Sequence, residues 1–203
     1  MVVNRKENSL EKLQELLKNQ RGLLQTADLI KYGIPRTTLS TLEKNGQIRR
    51  ISRGVYSAAD DLVDEMAGLQ TRYKGAIFSH ETALYLLDLV DRSPLFYSVT
   101  VPAGYNATSL KASGAKVYFV KRGLHSLGLI TVKSAYGHDI QTYNLERTIC
   151  DILRNRNQMD IQFVNMALRR YAGKKARNID LLFDYAGQFR IQKIVRQSIE
   201  VLL

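Results

Sequence analysis

The stretch from Leu24 to Tyr56, LQTADLIKYGIPRTTLSTLEKNGQIRRISRGVY, constrains this chain most. Thr26 can cap a short helix over Ala27–Tyr32 with Leu29 and Ile30 inward, and Gly33 suits a helix end because it reaches positive φ without steric cost. Pro35 fits the first turn of the next helix, which Asn45-Gly46 then stops. Leu39 and Leu42 lie three apart and define its apolar side. The opposite side carries Thr37, Ser40, Thr41 and Lys44, flanked by Arg36 and Thr38. A merely solvated helix would be filled with Glu, Lys and Gln instead.

The residues that follow change the period. Ile48, Ile51, Val55 and Tyr56 can give two strands an inner face, with Arg53-Gly54 as their turn. Arg49, Arg50 and Arg53 are thereby concentrated on one small hairpin. Short hydroxyl side chains can bond phosphates or base edges at close approach, and arginines on a hairpin suit a phosphate backbone or a minor groove. Two helices, a turn and a basic hairpin outline a winged helix-turn-helix. The bland alternative is a solvent-exposed basic hairpin.

Charge supports a polyanionic partner. The 203 residues carry a formal charge of +11. Residues 1–60 hold 11 basic and 6 acidic side chains (+5), residues 61–145 hold 8 and 7 (+1), and residues 146–203 hold 11 and 6 (+5). Two basic ends around a near-neutral middle imply two polyanion-facing surfaces. Arg169, Arg170, Lys174, Lys175 and Arg177 form the second basic cluster. Cys150 is the single cysteine, so an intramolecular disulfide and a thiolate metal cluster are excluded. Its apolar neighbours Ile149 and Ile152 suggest a buried structural thiol. The start MVVNRKENSLEK is too polar for a signal peptide, and no apolar run is long enough to span a bilayer, so we expect a cytoplasmic protein without a membrane partner.

Elsewhere, Asn8 or Ser9 can cap a first helix to about Gln20, with Leu10, Leu13, Leu16 and Leu17 on one face. Asp60 or Asp61 can cap a helix to about Tyr73, and Ser79 one running to Val90 with Leu84, Leu87 and Val90 inward. Strands are expected over 96–101, 116–121, 129–132 and 139–143. Helices are expected from Leu145 under an Asn144 cap, from Ile161 to Ala172, from Ile179 to Ala186 under an Asn178 cap, and over 190–203. Glu146 and Asp151 are candidate intrahelical partners for Arg147, Arg154 and Arg156. The fold class is therefore α+β: an N-terminal winged helix-turn-helix over residues 1–60, then a mixed C-terminal domain over 61–203 with a small sheet and several helices.

Catalytic patterns are missing. There is no nucleophile elbow and no phosphate-binding loop. His80, His125 and His138 are scattered, without metal spacing, and His80 reads as structural or surface. Asp139 is not followed by the acidic-x-Lys pair of a metal-dependent nuclease. We therefore expect no enzyme, no catalytic residues, no metal and no cofactor. A nucleic-acid-processing enzyme targeted by the N-terminal module is the alternative, and a ligand-sensing repressor is a third class.

The order of parts, together with Phe78-Ser79-His80-Glu81-Thr82-Ala83-Leu84 and Thr142–Asp151, resembles the AbiE antitoxin family of bacterial abortive-infection systems. The resemblance implies a transcriptional autorepressor that binds operator inverted repeats and doubles as an antitoxin. It also implies a type IV system, in which a nucleotidyltransferase-like toxin is countered without a stable complex, and cooperative repression with self-association on DNA. It implies that the C-terminal domain carries antitoxicity in defence against phage. Ser79, His80 and Glu81, and Glu146, Arg147 and Asp151, match family motifs; their simplest reading is caps and a Glu/Arg/Asp network that fixes the second domain.

Overall fold

A computed structural model describes Leu16, residues 23–59 and residues 63–200. Within these, the side chains of Ile30, Arg36 and Glu200 are not described. The expected first helix lies outside the described residues except at Leu16, which is helical and buried. The Asp60 and Asp61 caps, the inward Ile30 and the tail 201–203 lie outside them too. The protein is α+β and forms two compact units, residues 1–74 with 133–140, and residues 75–132 with 141–203.

In the first unit, strand β1 (Leu23–Gln25) leads into helix α1 (Thr26–Lys31) and helix α2 (Arg36–Lys44). Strands β2 (Ile48–Ser52) and β3 (Val55–Ala58) follow. The three strands form an antiparallel sheet in the order β1-β3-β2. Leu16, Leu24, Leu29, Ile34, Leu39 and Leu42 close with Ile48 into one apolar core, against which Tyr56 and Ala58 pack. Each such leucine contributes about 1.5–3 kcal/mol on burial, enough to outweigh the weak propensity of two short helices.

Several local expectations are corrected. Pro35 is the N-cap residue of α2 at ψ 140°, not a first-turn residue. Thr26 begins α1 rather than capping it, and its hydroxyl donates to the Gly54 carbonyl at 3.3 Å. The same carbonyl accepts from the Thr26 amide at 2.9 Å, tying the start of α1 to the hairpin turn. Gly33, Gly46 and Gly54 all take positive φ, as turn positions require. The wing has no single inner face. Tyr56 joins the helical core, whereas Ile51 meets Gly68 of helix α3 (Glu65–Arg72), which packs on β2 and β3. The cap of α3 is Asp64, whose Oδ1 accepts from the Ala67 amide at 2.9 Å.

Strands β4 (Ile77–Phe78), β5 (Ser98–Pro102), β6 (Lys116–Val120), β7 (Leu129–Lys133) and β8 (Asp139–Tyr143), which belong to the second unit except for Lys133, Asp139 and Ile140, form a sheet in the order β6-β5-β4-β8-β7. β4 is antiparallel to β5 and parallel to β8, and β5 is parallel to β6. Helix α4 (His80–Leu86) stops well short of Val90, and Asp88 takes φ +55° in the turn that brings Leu89 into the core. Helix α5 (Thr108–Ala112) connects β5 to β6. Helices α6 (Leu145–Arg154), α7 (Ile161–Gly173), α8 (Ile179–Phe189) and α9 (Gln192–Glu200) pack with α4 into the larger apolar core. Asn144 and Asn178 cap α6 and α8 as the sequence predicts. No described helix is long and apolar enough to cross a membrane.

Candidate nucleic-acid interface

Helix α2 separates its residues by physics alone. Leu39 and Leu42 are 3% and 2% exposed, while Thr37, Ser40, Thr41 and Lys44 are open to solvent. Thr38 is half-buried, and the side chain of Arg36 lies outside the described residues. The Thr41 hydroxyl donates to the Thr37 carbonyl one turn back at 3.2 Å, so its oxygen lone pairs remain turned outward. Lys44 closes the helix at the negative end of its dipole. The result is a short polar ridge of hydroxyls with one cation, seated on a buried apolar base.

The wing supplies the charge. Arg49, Arg50 and Arg53 are all exposed. β2 is an edge of its sheet, and Arg49 and Arg50 are consecutive on it, so they project to opposite sides of the edge. A bulge between Arg50 and Ser52 bends the strand before the Arg53-Gly54 turn, and Arg50 Nε donates to the Ser52 carbonyl at 3.4 Å. An edge strand with arginines on both sides can straddle a line of phosphates.

The second basic cluster is less uniform. Arg169 and Lys175 are exposed. Arg170 donates to the Leu89 carbonyl and lies 3.6 Å from Asp91, so its charge is partly spent. Lys174 and Arg177 are half-buried, and Arg177 donates to the Lys174 carbonyl at 3.1 Å.

Two polar clusters take partners that no local spacing in the sequence connects. In the first unit, Ser134 Oγ and His138 Nδ1 both donate to Asp64 Oδ2, the histidine at 2.8 Å. Acyl transfer needs the histidine between serine and carboxylate. Here both donors share one oxygen, and the cluster fastens the turn at 134–138 to the cap of α3. No spacing in the sequence joins positions 64 and 138.

In the second unit, His80 is fully buried at φ +49° and stacks on Tyr118, with ring centroids 3.5 Å apart. Asn155 Nδ2 lies 3.1 Å from Nε2, and Ser79 Oγ lies 2.9 Å from Nδ1, both within hydrogen-bond distance of the ring. The Ser79 hydroxyl accepts from Thr100 at 2.9 Å and makes no cap bond. Burial lowers the His80 pKa well below its ordinary value, and Arg154, Lys116 and Arg147 add to the effect, so the ring is neutral.

Beside it, Arg147 Nε donates to Asp151 Oδ2 at 3.1 Å, both side chains fully buried. Arg147 Nη1 also donates to the carbonyls of Leu124 and Leu127, and the guanidinium lies over the Tyr143 ring at 4.0 Å. Glu146 does not serve as an intrahelical partner; its Oε1 accepts from the Asn178 amide at 2.9 Å and anchors the start of α8. Arg156 donates to the Leu153 carbonyl instead. Cys150 is fully buried, and burial pushes its thiol pKa up to about 12. Among the described residues, no group of three or more His, Cys, Asp or Glu side chains is arranged to hold a metal ion.

Residues 11–59 match a family model described as "Transcriptional regulator, AbiEi antitoxin". The match supports the AbiE resemblance over the segment containing β1 to β3, α1 and α2, and does not reach the stretches at 78–84 and 142–151. The fold resembles that of the RV2827C protein from Mycobacterium tuberculosis, a solved structure. The two share 13% sequence identity with a TM-score of 0.52, over 86% of this chain and 80% of that one, which is a likeness of fold. No curated protein matches the sequence.

Proposed function

We propose that this chain is a DNA-binding transcriptional autorepressor and antitoxin of a bacterial type IV toxin–antitoxin system. The observation that carries the reading is the exposed face of α2, where Thr37, Ser40, Thr41 and Lys44 stand opposite buried Leu39 and Leu42 in a segment that matches antitoxin regulators. In this reading α2 enters the major groove, with Arg36 and Thr38 at its margins. Arg49, Arg50 and Arg53 of the wing hold the neighbouring backbone or minor groove. Inverted repeats in the operator engage two copies, which associate on DNA.

The division of labour follows the chain. Residues 1–60 form the DNA-binding domain, and residues 61–203 form the antitoxin domain. The latter counters a nucleotidyltransferase-like toxin without a stable complex, in the cytoplasm, as part of phage defence. Arg169, Arg170, Lys174, Lys175 and Arg177 give it a second polyanion surface. Its chemistry is binding, not turnover.

Two measurements test this. Gel shifts should show the full chain retarding DNA from upstream of its own operon in preference to scrambled DNA; equal retardation of both would remove the operator assignment. Co-expression with the adjacent downstream gene should show growth rescue by the full chain and partial rescue by residues 61–203. Rescue by residues 1–60 alone would overturn the division.

A further inference from the structure

A cavity of about 390 Å³ opens in the second unit beside the start of β5 and β6. Its volume lies in the range of small-molecule sites, about 300–1,000 Å³. Leu95, Phe96, Phe163 and Met166 form much of its wall. Leu95 and Phe96 are 79% and 66% exposed, on a segment without regular structure. Two large adjacent apolar side chains held in solvent at the mouth of a cavity mark a surface that gains by being covered.

Charge decides what covers it. Glu81, Lys116 and Arg92 are the ionisable groups that line the cavity. Glu81 is spent: Oε1 accepts from Lys116 Nζ at 3.1 Å and Oε2 from Ser98 Oγ at 2.7 Å. The exposed Arg92 has no hydrogen-bond or ionic partner among the described residues. Asp91, the next carboxylate along the chain, is turned to Arg170. The lining therefore carries a surplus of one positive charge, on a guanidinium at the edge of an apolar wall.

We infer that this cavity is a binding site for a small amphipathic carboxylate, whose apolar body lies between Phe96 and Phe163 and whose single carboxylate is held by Arg92. Neither the wing nor the second basic cluster takes part. Guanidinium and carboxylate match as a fork, so Arg92 fixes the orientation of the ligand while the aromatic wall provides area.

The test uses the full chain with decanoate as probe and decanol as its uncharged counterpart, followed by calorimetry and by displacement of anilinonaphthalene sulfonate. Decanoate should bind saturably at one site per chain and more tightly than decanol. Arg92→Gln should weaken decanoate roughly tenfold or more, the loss of one charge-assisted hydrogen bond, and leave decanol unchanged. Phe96→Ala, at an exposed position, should weaken both, with unchanged circular dichroism. The site is refuted by non-saturable binding, by equal affinity of acid and alcohol, or by an indifferent Arg92→Gln. It is equally refuted by a concentration-dependent dimer that Phe96→Ala abolishes and decanoate does not, because a second copy would then be the occupant.

Discussion

Arg147 and Asp151 form an ion pair one turn apart in α6, Nε to Oδ2 at 3.1 Å, with neither side chain reaching solvent. Arg154 adds a longer contact, 3.7 Å from Asp151 Oδ1. The pair is expected to behave as a unit. Asp151→Ala leaves a buried guanidinium uncompensated and should cost about 3–5 kcal/mol. Arg147→Met with Asp151→Leu should cost less than the two single changes summed. Urea denaturation of the four proteins measures the coupling; additive effects would mean that the two charges do not sense each other.

His80 makes stability depend on pH. Its folded pKa is lowered, chiefly by burial, so the unfolded chain binds the proton more readily. Stability from this group is fully present above the unfolded value of about 6.5 and is lost as pH falls from there toward the folded value. His125, also lowered by burial, acts in the same direction. The Asp151 carboxyl is raised by burial against the pull of Arg147 and Arg154, and works in the opposite sense. Melting temperature should therefore fall between pH 7 and pH 5, and fall less in His80→Gln. Identical slopes would exclude His80 as the source.

Asp64 has two tasks in the first unit: Oδ1 caps α3 and Oδ2 receives Ser134 and His138. His138→Ala removes the bond to Asp64 Oδ2 and should cost at least about 0.5–1.5 kcal/mol. Asp64→Ala removes the cap as well, itself worth about 0.5–2 kcal/mol, and should cost clearly more. Equal losses would mean that the cap contributes nothing. A fragment ending at residue 60 contains neither α3 nor residues 133–140, and should bind DNA more weakly than the full chain.

Local sequence expresses some of these elements, and only folding assembles the others. α2 was legible because Leu39 and Leu42 set a helical period and Gly33 and Asn45-Gly46 punctuate it. The wing was legible from β-branched residues around Arg53-Gly54. β1 was not, because Leu23–Gln25 is too short for a period and becomes a strand only by pairing with Val55–Ser57. The start of α3 is not legible locally, because Asp60, Asp61 and Asp64 are equivalent as caps in isolation, and Ser134 and His138 hold the third of them. His80 looked like a solitary histidine; its partners Tyr118 and Asn155 come from β6 and the end of α6. Arg147 and Asp151 carry the helical spacing of a pair, but their complete burial depends on the α6, α8 and α9 packing. In the basic cluster at 169–177, composition gave the charges, but only folding directs Arg170 to Leu89 and Asp91.

The wing arginines offer the most direct test of the account. Arg49 and Arg50 project from opposite sides of an edge strand, and each is expected to neutralise one phosphate. Each lost phosphate contact reduces the slope of log K against log salt by roughly 0.9. Operator binding by the full chain and by Arg49→Ala with Arg50→Ala, titrated across salt concentrations, should show weaker binding in the variant and a slope flatter by roughly 1.8. Weaker binding with an unchanged slope, in a protein of unchanged circular dichroism, would contradict the assignment of this hairpin to DNA.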